Sequence, residues 1–290
     1  MAHCLRSKNY VNLMVGSKQP QPVFLSAEEA DSHCRAGASV WKFASTDDGL
    51  DPDVVLVGIG AEITFEVIEA AAMLRKRTPD LRVRVVNVTD LMVLGLEGSH
   101  PHSLTHDDFD ALFTADRPIH FNYHGYPNEL KGLLFGRPNL HRVSIEAYAE
   151  EGSTTTPFDM MLRNRVSRYH VMEAAIKGGA QRNEKIRLDM HELLSGIRHE
   201  VSKMQEYIMT NSKGMFSTLM KTRIEAEVDQ ILKTRTIRLH SVARARLIGT
   251  LAMLISSLWL LLRTSGRECP SLHHTYPKWI IVSFDGRLLS

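Results

Sequence analysis

The chain has 290 residues, 43% of them hydrophobic, which is enough for one large domain with a real core or a domain plus an extension. A formal charge of +2 excludes a bulk electrostatic case for nucleic acid, and three scattered cysteines, Cys4, Cys34 and Cys269, exclude a disulfide framework and zinc spacing. The near-neutral total hides an asymmetry. Residues 1–214 carry 24 Lys+Arg against 28 Asp+Glu, whereas residues 215–290 carry 11 against 5. A sign change at one point divides the chain into two segments of different character. The N-terminus lacks the apolar core of a signal peptide, and the cysteine usage fits a reducing compartment.

In chain order, a short apolar run from Val11 to Val15 leads into GSKQPQP, where Lys18 sits on a Gly/Ser/Pro loop. A lysine there is either an exposed turn residue or a flexible point charge for a phosphate. Val54 to Val57 form a continuous apolar run, the pattern of a strand buried on both faces. Gly58 and Gly60 end it, and Phe65, Ile68, Ala72 and Leu74 follow near helical spacing until Pro79 and Asp80. Val83 to Val88 make the next strand, so a right-handed parallel crossover is expected. GIGAE invites a dinucleotide reading, but the position of the third glycine in GxGxxG holds Ile63, which favours a structural turn.

HPHSLTH places His100, His102 and His106 beside Asp107 and Asp108. Without a third ligand at a defined spacing, this reads as a solvated loop rather than a metal site. A helix follows, with Thr105 as its N-cap and Asp108 three residues on. PIHFNY, Pro118 to Tyr123, reads as a third strand, and His124 follows it where α/β sites collect, with Gly125 and Pro127 suggesting a tight turn. Val143 to Tyr148 is a fourth strand.

EEGSTTTPFD, Glu150 to Asp159, could cradle a phosphate or simply start a helix. Thr156 before Pro157, with Asp159 three residues on, has the form of an N-cap, which leaves Ser153, Thr154 and Thr155 free. One helix is expected from Pro157, with Phe158, Met161, Leu162, Val166, Tyr169 and Met172 on one face. A longer one follows from about Asn183 to Asn211. Together these give an open α/β sheet with helices packed on it.

From Gly214 the text becomes basic. Leu247 to Leu262 are 16 uncharged residues between Arg246 and Arg263. At the helical rise they span about 24 Å, short of the ~30 Å hydrocarbon core. A buried or adventitious apolar helix and a membrane span both stay open.

NLMVGSKQPQPVFLSAEEADSHCRAGASVWKFAS, the DPDVVLVGIGAEITFEVIEAAAMLRKRTPDLRVRVVNVTDLMVL unit, HPHSLTHDDFDALF, FNYHGYP and EEGSTTTPFDM resemble the C-terminal domain of phosphoketolases, most closely the fungal ones. The resemblance runs over about residues 8 to 213. It implies a three-layer open sheet like the transketolase C-terminal domain, with a long C-terminal helix. It gives a domain over residues 1–213 and an unrelated, poorly packed basic tail over 214–290.

The family it implies is thiamine diphosphate- and Mg²⁺-dependent, homodimeric and cytoplasmic. It cleaves xylulose 5-phosphate, often also fructose 6-phosphate, with inorganic phosphate to acetyl phosphate and an aldose phosphate. Lys18 in the KQP motif matches a family lysine that contacts the substrate phosphate. His124 and the loop holding Thr154 match motifs assigned to domain packing and to the interface with the cofactor domains. Those domains precede this one in the family, and the sequence begins just before the resemblance does. The expectation is therefore a fragment inactive alone, binding no cofactor or metal by itself. The alternative is a non-catalytic binding or assembly module that associates with a full-length phosphoketolase.

Overall fold

A computed structural model describes residues 11–17, 20–150 and 155–210. The chain divides into two units, Met1–Val15 with Leu232–Ser290, and Gly16–Ile231. Residues 11–15 of the first carry no regular structure, and every element below lies in the second. The expected tail and its apolar stretch, Leu247 to Leu262, lie outside the described residues.

Five strands form one sheet: β1 (Ala38–Val40), β2 (Val54–Ile59), β3 (Val83–Val88), β4 (Ile119–Tyr123) and β5 (Val143–Ala147), in the spatial order β1-β3-β2-β4-β5. The inner pairings are parallel, with Val57 opposite both Val86 and Phe121, and β1 runs antiparallel on one edge. Among the described residues seven α-helices accompany it: α1 (Ala27–Ala36), α2 (Ala61–Arg77), α3 (His106–Phe113), α4 (Pro127–Leu134), α5 (Pro157–Arg163), α6 (Arg168–Gly179) and α7 (Glu184–Thr210).

The alternation of side chains along each strand builds two cores. Val54, Leu56, Val83 and Val85 face α2, α6 and α7 through Val67, Met172, Ile176 and Ile197. Val55, Val57, Val86 and Phe121 face the other way, onto Phe109 and Phe113 of α3 and Leu130 and Leu134 of α4. This is a three-layer α/β architecture, and it explains why the strands read as unbroken apolar runs: both faces are covered.

The helix expected to run on from Pro157 is two helices. The backbone turns at Asn164–Ser167, where Arg165 takes a φ of 59°. Asn164 Nδ2 donates back to the Met160 carbonyl at 3.0 Å, and Asn122 Nδ2 of β4 donates to the Val166 carbonyl at 2.9 Å. A carbonyl taken by β4 marks the turn, and α6 then restarts from Ser167. Three elements were not anticipated. They are α1, with a complete capping box between Ser26 and Glu29, the three-residue β1, and α4, which begins at Pro127 where a tight turn was expected.

Candidate functional site

The connection from β2 to β3 runs to one side of β2, and β4 lies on the other. The order therefore reverses between β2 and β4, and ligand crevices of open α/β sheets form beyond the strand ends at such a point. Here those ends are Ile59–Gly60 and Tyr123–His124. The two turns are fastened together: the His124 N–H donates to the Ile59 carbonyl at 2.9 Å. They are also too close for a side chain at residue 60, because a Cβ there would stand 2.6 Å from His124 Cβ, and Gly60 has a φ of 95°. Gly60 is thus demanded by its φ and by His124. Gly58 has a similar constraint, its absent Cβ being 2.8 Å from Thr64 Cα. The two glycines of GIGAE serve the strand–helix turn, as the sequence suggests.

A set of side chains meets at these strand ends. The His124 ring meets the buried Tyr148 ring edge-on at 4.8 Å between centroids. Its Nδ1 stands 3.8 Å from Glu62 Oε2, in the first turn of α2. The other Glu62 oxygen, Oε1, accepts the Ser17 hydroxyl at 3.0 Å, and Gln21 Nε2 donates to Ser17 Oγ at 3.1 Å. Burial, with Glu150 and Glu62 adding to it, pushes the Tyr148 phenol up to about 12, so it is a neutral hydroxyl at any physiological pH. On the far side Tyr126 donates to the Glu150 carbonyl at 3.2 Å.

Of the expected site residues, His124 stands at this strand-end crevice, while Lys18 and Thr154 lie outside the described residues. Glu62, Ser17 and Tyr148 were not singled out. Glu62 had a signal, a carboxylate two residues beyond the GxG turn and hence in the first turn of the helix. The Ser17 contact, 45 residues distant, had none.

The hydroxyl row before α5 is engaged by its own helix. The Asp159 N–H donates to Thr156 Oγ1 at 3.3 Å, the expected N-cap. Thr155 was expected to be free. Instead its hydroxyl donates to Asp159 Oδ2 at 2.8 Å, and Arg163 holds the same oxygen at 2.7 Å. His102 is likewise occupied, its Nδ1 lying 2.6 Å from Asp90 Oδ2. Among the described residues no group of three or more His, Cys, Asp or Glu side chains could hold a metal ion. The charges at the crevice, Glu62 and Glu150, repel a diphosphate. The residues described here therefore do not fit thiamine diphosphate with its divalent ion. A separate cavity of about 440 Å³ lies between α2, α6 and α7, floored by Leu74, Met172, Ile176 and Leu193, at the other end of α2.

The strand order and helices define a three-layer α/β domain whose parallel strands β2 and β4 end just before Gly60 and His124. Residues 18–220 match the model of the XFP C-terminal domain, and the chain belongs to that family. It is 54% identical over 211 residues to a probable phosphoketolase of Schizosaccharomyces pombe, covering 73% of this chain and 25% of that protein. It is 44% identical over 207 residues to probable phosphoketolase 1 of Rhizobium meliloti, covering 70% and 26%. A probable phosphoketolase of Rhodopseudomonas palustris is 50% identical over 175 residues, covering 60% and 22%. The chain thus spans about a quarter of the length of the curated relatives it matches. A solved structure titled split gene transketolase, inactive beta4 tetramer, aligns at a TM-score of 0.33 and 16% identity, covering 51% of this chain and 44% of that one. A likeness of that size carries no argument. No described helix is long and apolar enough to cross a membrane.

Proposed function

We propose that this chain is the C-terminal portion of a thiamine diphosphate-dependent phosphoketolase, a carbon–carbon lyase of carbohydrate metabolism working in the cytoplasm. The single observation that carries the reading is the family match over residues 18–220 together with 54% identity to a probable phosphoketolase. In this reading the whole enzyme is a homodimer that converts a ketose phosphate and inorganic phosphate to acetyl phosphate and an aldose phosphate. When bound, thiamine diphosphate supplies the carbanion chemistry. Domains other than this one hold that cofactor and its Mg²⁺. This domain supplies Lys18 as a contact for the substrate phosphate, and presents His124, with the loop that contains Thr154, to the neighbouring domains.

A second reading is a non-catalytic module that associates with a full-length phosphoketolase. Purified chain, incubated with xylulose 5-phosphate, phosphate, thiamine diphosphate and Mg²⁺, is expected to make no acetyl phosphate above a buffer control. Acetyl phosphate from homogeneous chain contradicts the assignment of catalysis to other domains. Co-purification of the chain with an untagged full-length relative supports the second reading. An independent full-length enzyme that ignores the chain opposes it.

A further inference from the structure

We propose that Glu62 and Tyr148 form a docking point for a basic side chain, an arginine or lysine from the part of the enzyme outside this domain. The inference rests on the reading of this chain as the C-terminal portion of a phosphoketolase. It deepens that reading by naming the chemistry of one contact between this domain and the rest.

Among the carboxylates, Glu62 stands apart. The buried ones among the described residues each face an arginine. Arg84, Arg82 and Arg163 answer Asp47, Asp53 and Asp159, and Arg168 answers both Glu66 and Glu69. The Glu62 side chain is only 31% exposed, yet among the described residues it meets no arginine or lysine. Its Oε1 accepts the Ser17 hydroxyl at 3.0 Å, and its Oε2 stands 3.8 Å from His124 Nδ1, beyond hydrogen-bond reach. One carboxylate oxygen is therefore open. It is also held in place, because Glu62 lies in the first turn of a 17-residue helix that starts from Gly60, where a negative charge complements the helix dipole.

Tyr148 is a second and independent sign. It follows β5 and is only 8% exposed, and its hydroxyl has no hydrogen-bond partner among the described residues. A tyrosine buried to that degree usually finds one. Its ring is fixed edge-on against the His124 ring at 4.8 Å. Burial first, then Glu150 and Glu62, push the phenol up to about 12, so it is a neutral hydroxyl within electrostatic reach of two carboxylates.

These groups ask for the same thing. Glu62 Oε2 and the Tyr148 oxygen can each accept a hydrogen bond, Glu150 adds a second negative charge, and the Tyr148 and His124 rings suit a cation. An anion is repelled. While this face is in water, Glu62 is hydrated. Covering a carboxylate with no cation beside it is strongly unfavourable, so a domain that packs on this face must bring one.

A complementation assay tests this. The Schizosaccharomyces pombe relative, shortened by its matching quarter, is titrated with the full chain, and the acetyl phosphate rate against chain concentration gives a Kd and a maximal rate. Glu62→Gln keeps the acceptor for Ser17 and removes the charge. It should raise Kd about tenfold, with the maximal rate within about twofold. Glu62→Lys, which sets like charges together, should raise it at least about a hundredfold. Tyr148→Phe should raise it about threefold, as for one neutral hydrogen bond. Two controls should stay within about twofold of wild type: Glu192→Gln, which removes a charge at the other end of α2, and Ser17→Ala. An unchanged Kd in Glu62→Gln and Glu62→Lys would overturn the inference. So would an equal loss in Glu192→Gln, which would mean net charge alone, or in Ser17→Ala, which would mean that Glu62 acts through Ser17. Should the wild-type chain neither bind the shortened relative nor restore acetyl phosphate, the phosphoketolase reading fails and the inference falls with it. Restoration by wild type with silent Glu62 variants sinks the inference alone.

Discussion

Gly60 and His124 meet so closely that residue 60 cannot carry a Cβ: the atom would stand 2.6 Å from His124 Cβ, itself fixed to the backbone at the end of β4. The φ of 95° and ψ of 142° at Gly60 belong to glycine alone. Gly60→Ala should therefore destabilise the domain by at least about 2 kcal/mol, from backbone strain before any clash. Gly132→Ala, where a Cβ meets nothing within 4 Å, is the control and should be neutral or slightly stabilising. Urea titration of both variants checks this pair, and equal stability would contradict the geometry.

Arg168 lies between two helices with its charge fully enclosed. Glu66 takes its Nη2 at 2.7 Å and its Nε at 3.0 Å, and Glu69 lies 3.5 Å from its Nη1, all three side chains being 5% exposed or less. Arg168→Met leaves two buried carboxylates facing each other, and the expected loss is about 3–5 kcal/mol. Arg163→Met removes an arginine whose side chain is 68% exposed and should cost under about 1 kcal/mol. Chemical denaturation distinguishes the two, and similar losses would mean that the Arg168 pair is not desolvated.

Two buried histidines make the domain sensitive to mild acid. Burial pushes His120 down to about 4, with Arg165 and His170 adding to it. Burial and then Arg165 take His170 to about 4 also, against Glu173, which raises it. Their folded values lie below the ordinary 6.5, so between pH 6.5 and 4 the unfolded chain binds protons that the folded one refuses. Stability is full above about pH 6.5 and falls as pH drops toward 4. For His120 alone the linkage gives a loss of about 2 kcal/mol at pH 5 relative to pH 8. Urea melts across that range should show the loss, and His120→Gln should reduce it. A stability that is flat from pH 8 to 5 would contradict neutral burial of these rings.

The row of hydroxyls before α5 yields a sharper expectation than its sequence offered. Thr156 caps the helix, and Thr155 is tied to Asp159. Thr156→Ala should cost about 1 kcal/mol, and Thr155→Ala about half as much, since its exposed hydroxyl has water as a substitute. A phosphate cradle predicts instead a melting temperature that rises with millimolar phosphate and a rise abolished by Ser153→Ala or Thr154→Ala. Thermal melts with and without phosphate separate the two, and a phosphate-dependent rise with Thr156→Ala silent would overturn the helix-cap reading.

What could be read from sequence follows the range of the interactions involved. Val54–Val57, Val83–Val88 and the Thr105 and Thr156 caps depend on neighbours within a few residues, and their patterns are visible. The helix α1 buries only His33, so it has no apolar stripe, although its Ser26–Glu29 capping box was there to be seen. His33 is inside for a polar reason: its Nε2–H donates to Asn87 Oδ1 at 2.8 Å and Ser39 donates to its Nδ1 at 2.6 Å, across three elements. The break between α5 and α6 is set partly by Asn122, 44 residues before the carbonyl it binds, and the helical spacing from Phe158 to Met172 runs straight through it. At the crevice, His124 follows from strand position alone, whereas the Ser17–Glu62 contact depends on two turns being folded against each other.

The central claim is that this domain can serve as the C-terminal quarter of a phosphoketolase, and acetyl phosphate formation by a hybrid tests it most directly. The Schizosaccharomyces pombe relative should lose acetyl phosphate production when its matching quarter is deleted. It should recover at least about a tenth of its rate when residues 16–210 of this chain take that place, given 54% identity across the graft. A hybrid that folds, dimerises and binds thiamine diphosphate yet makes no acetyl phosphate would contradict the account.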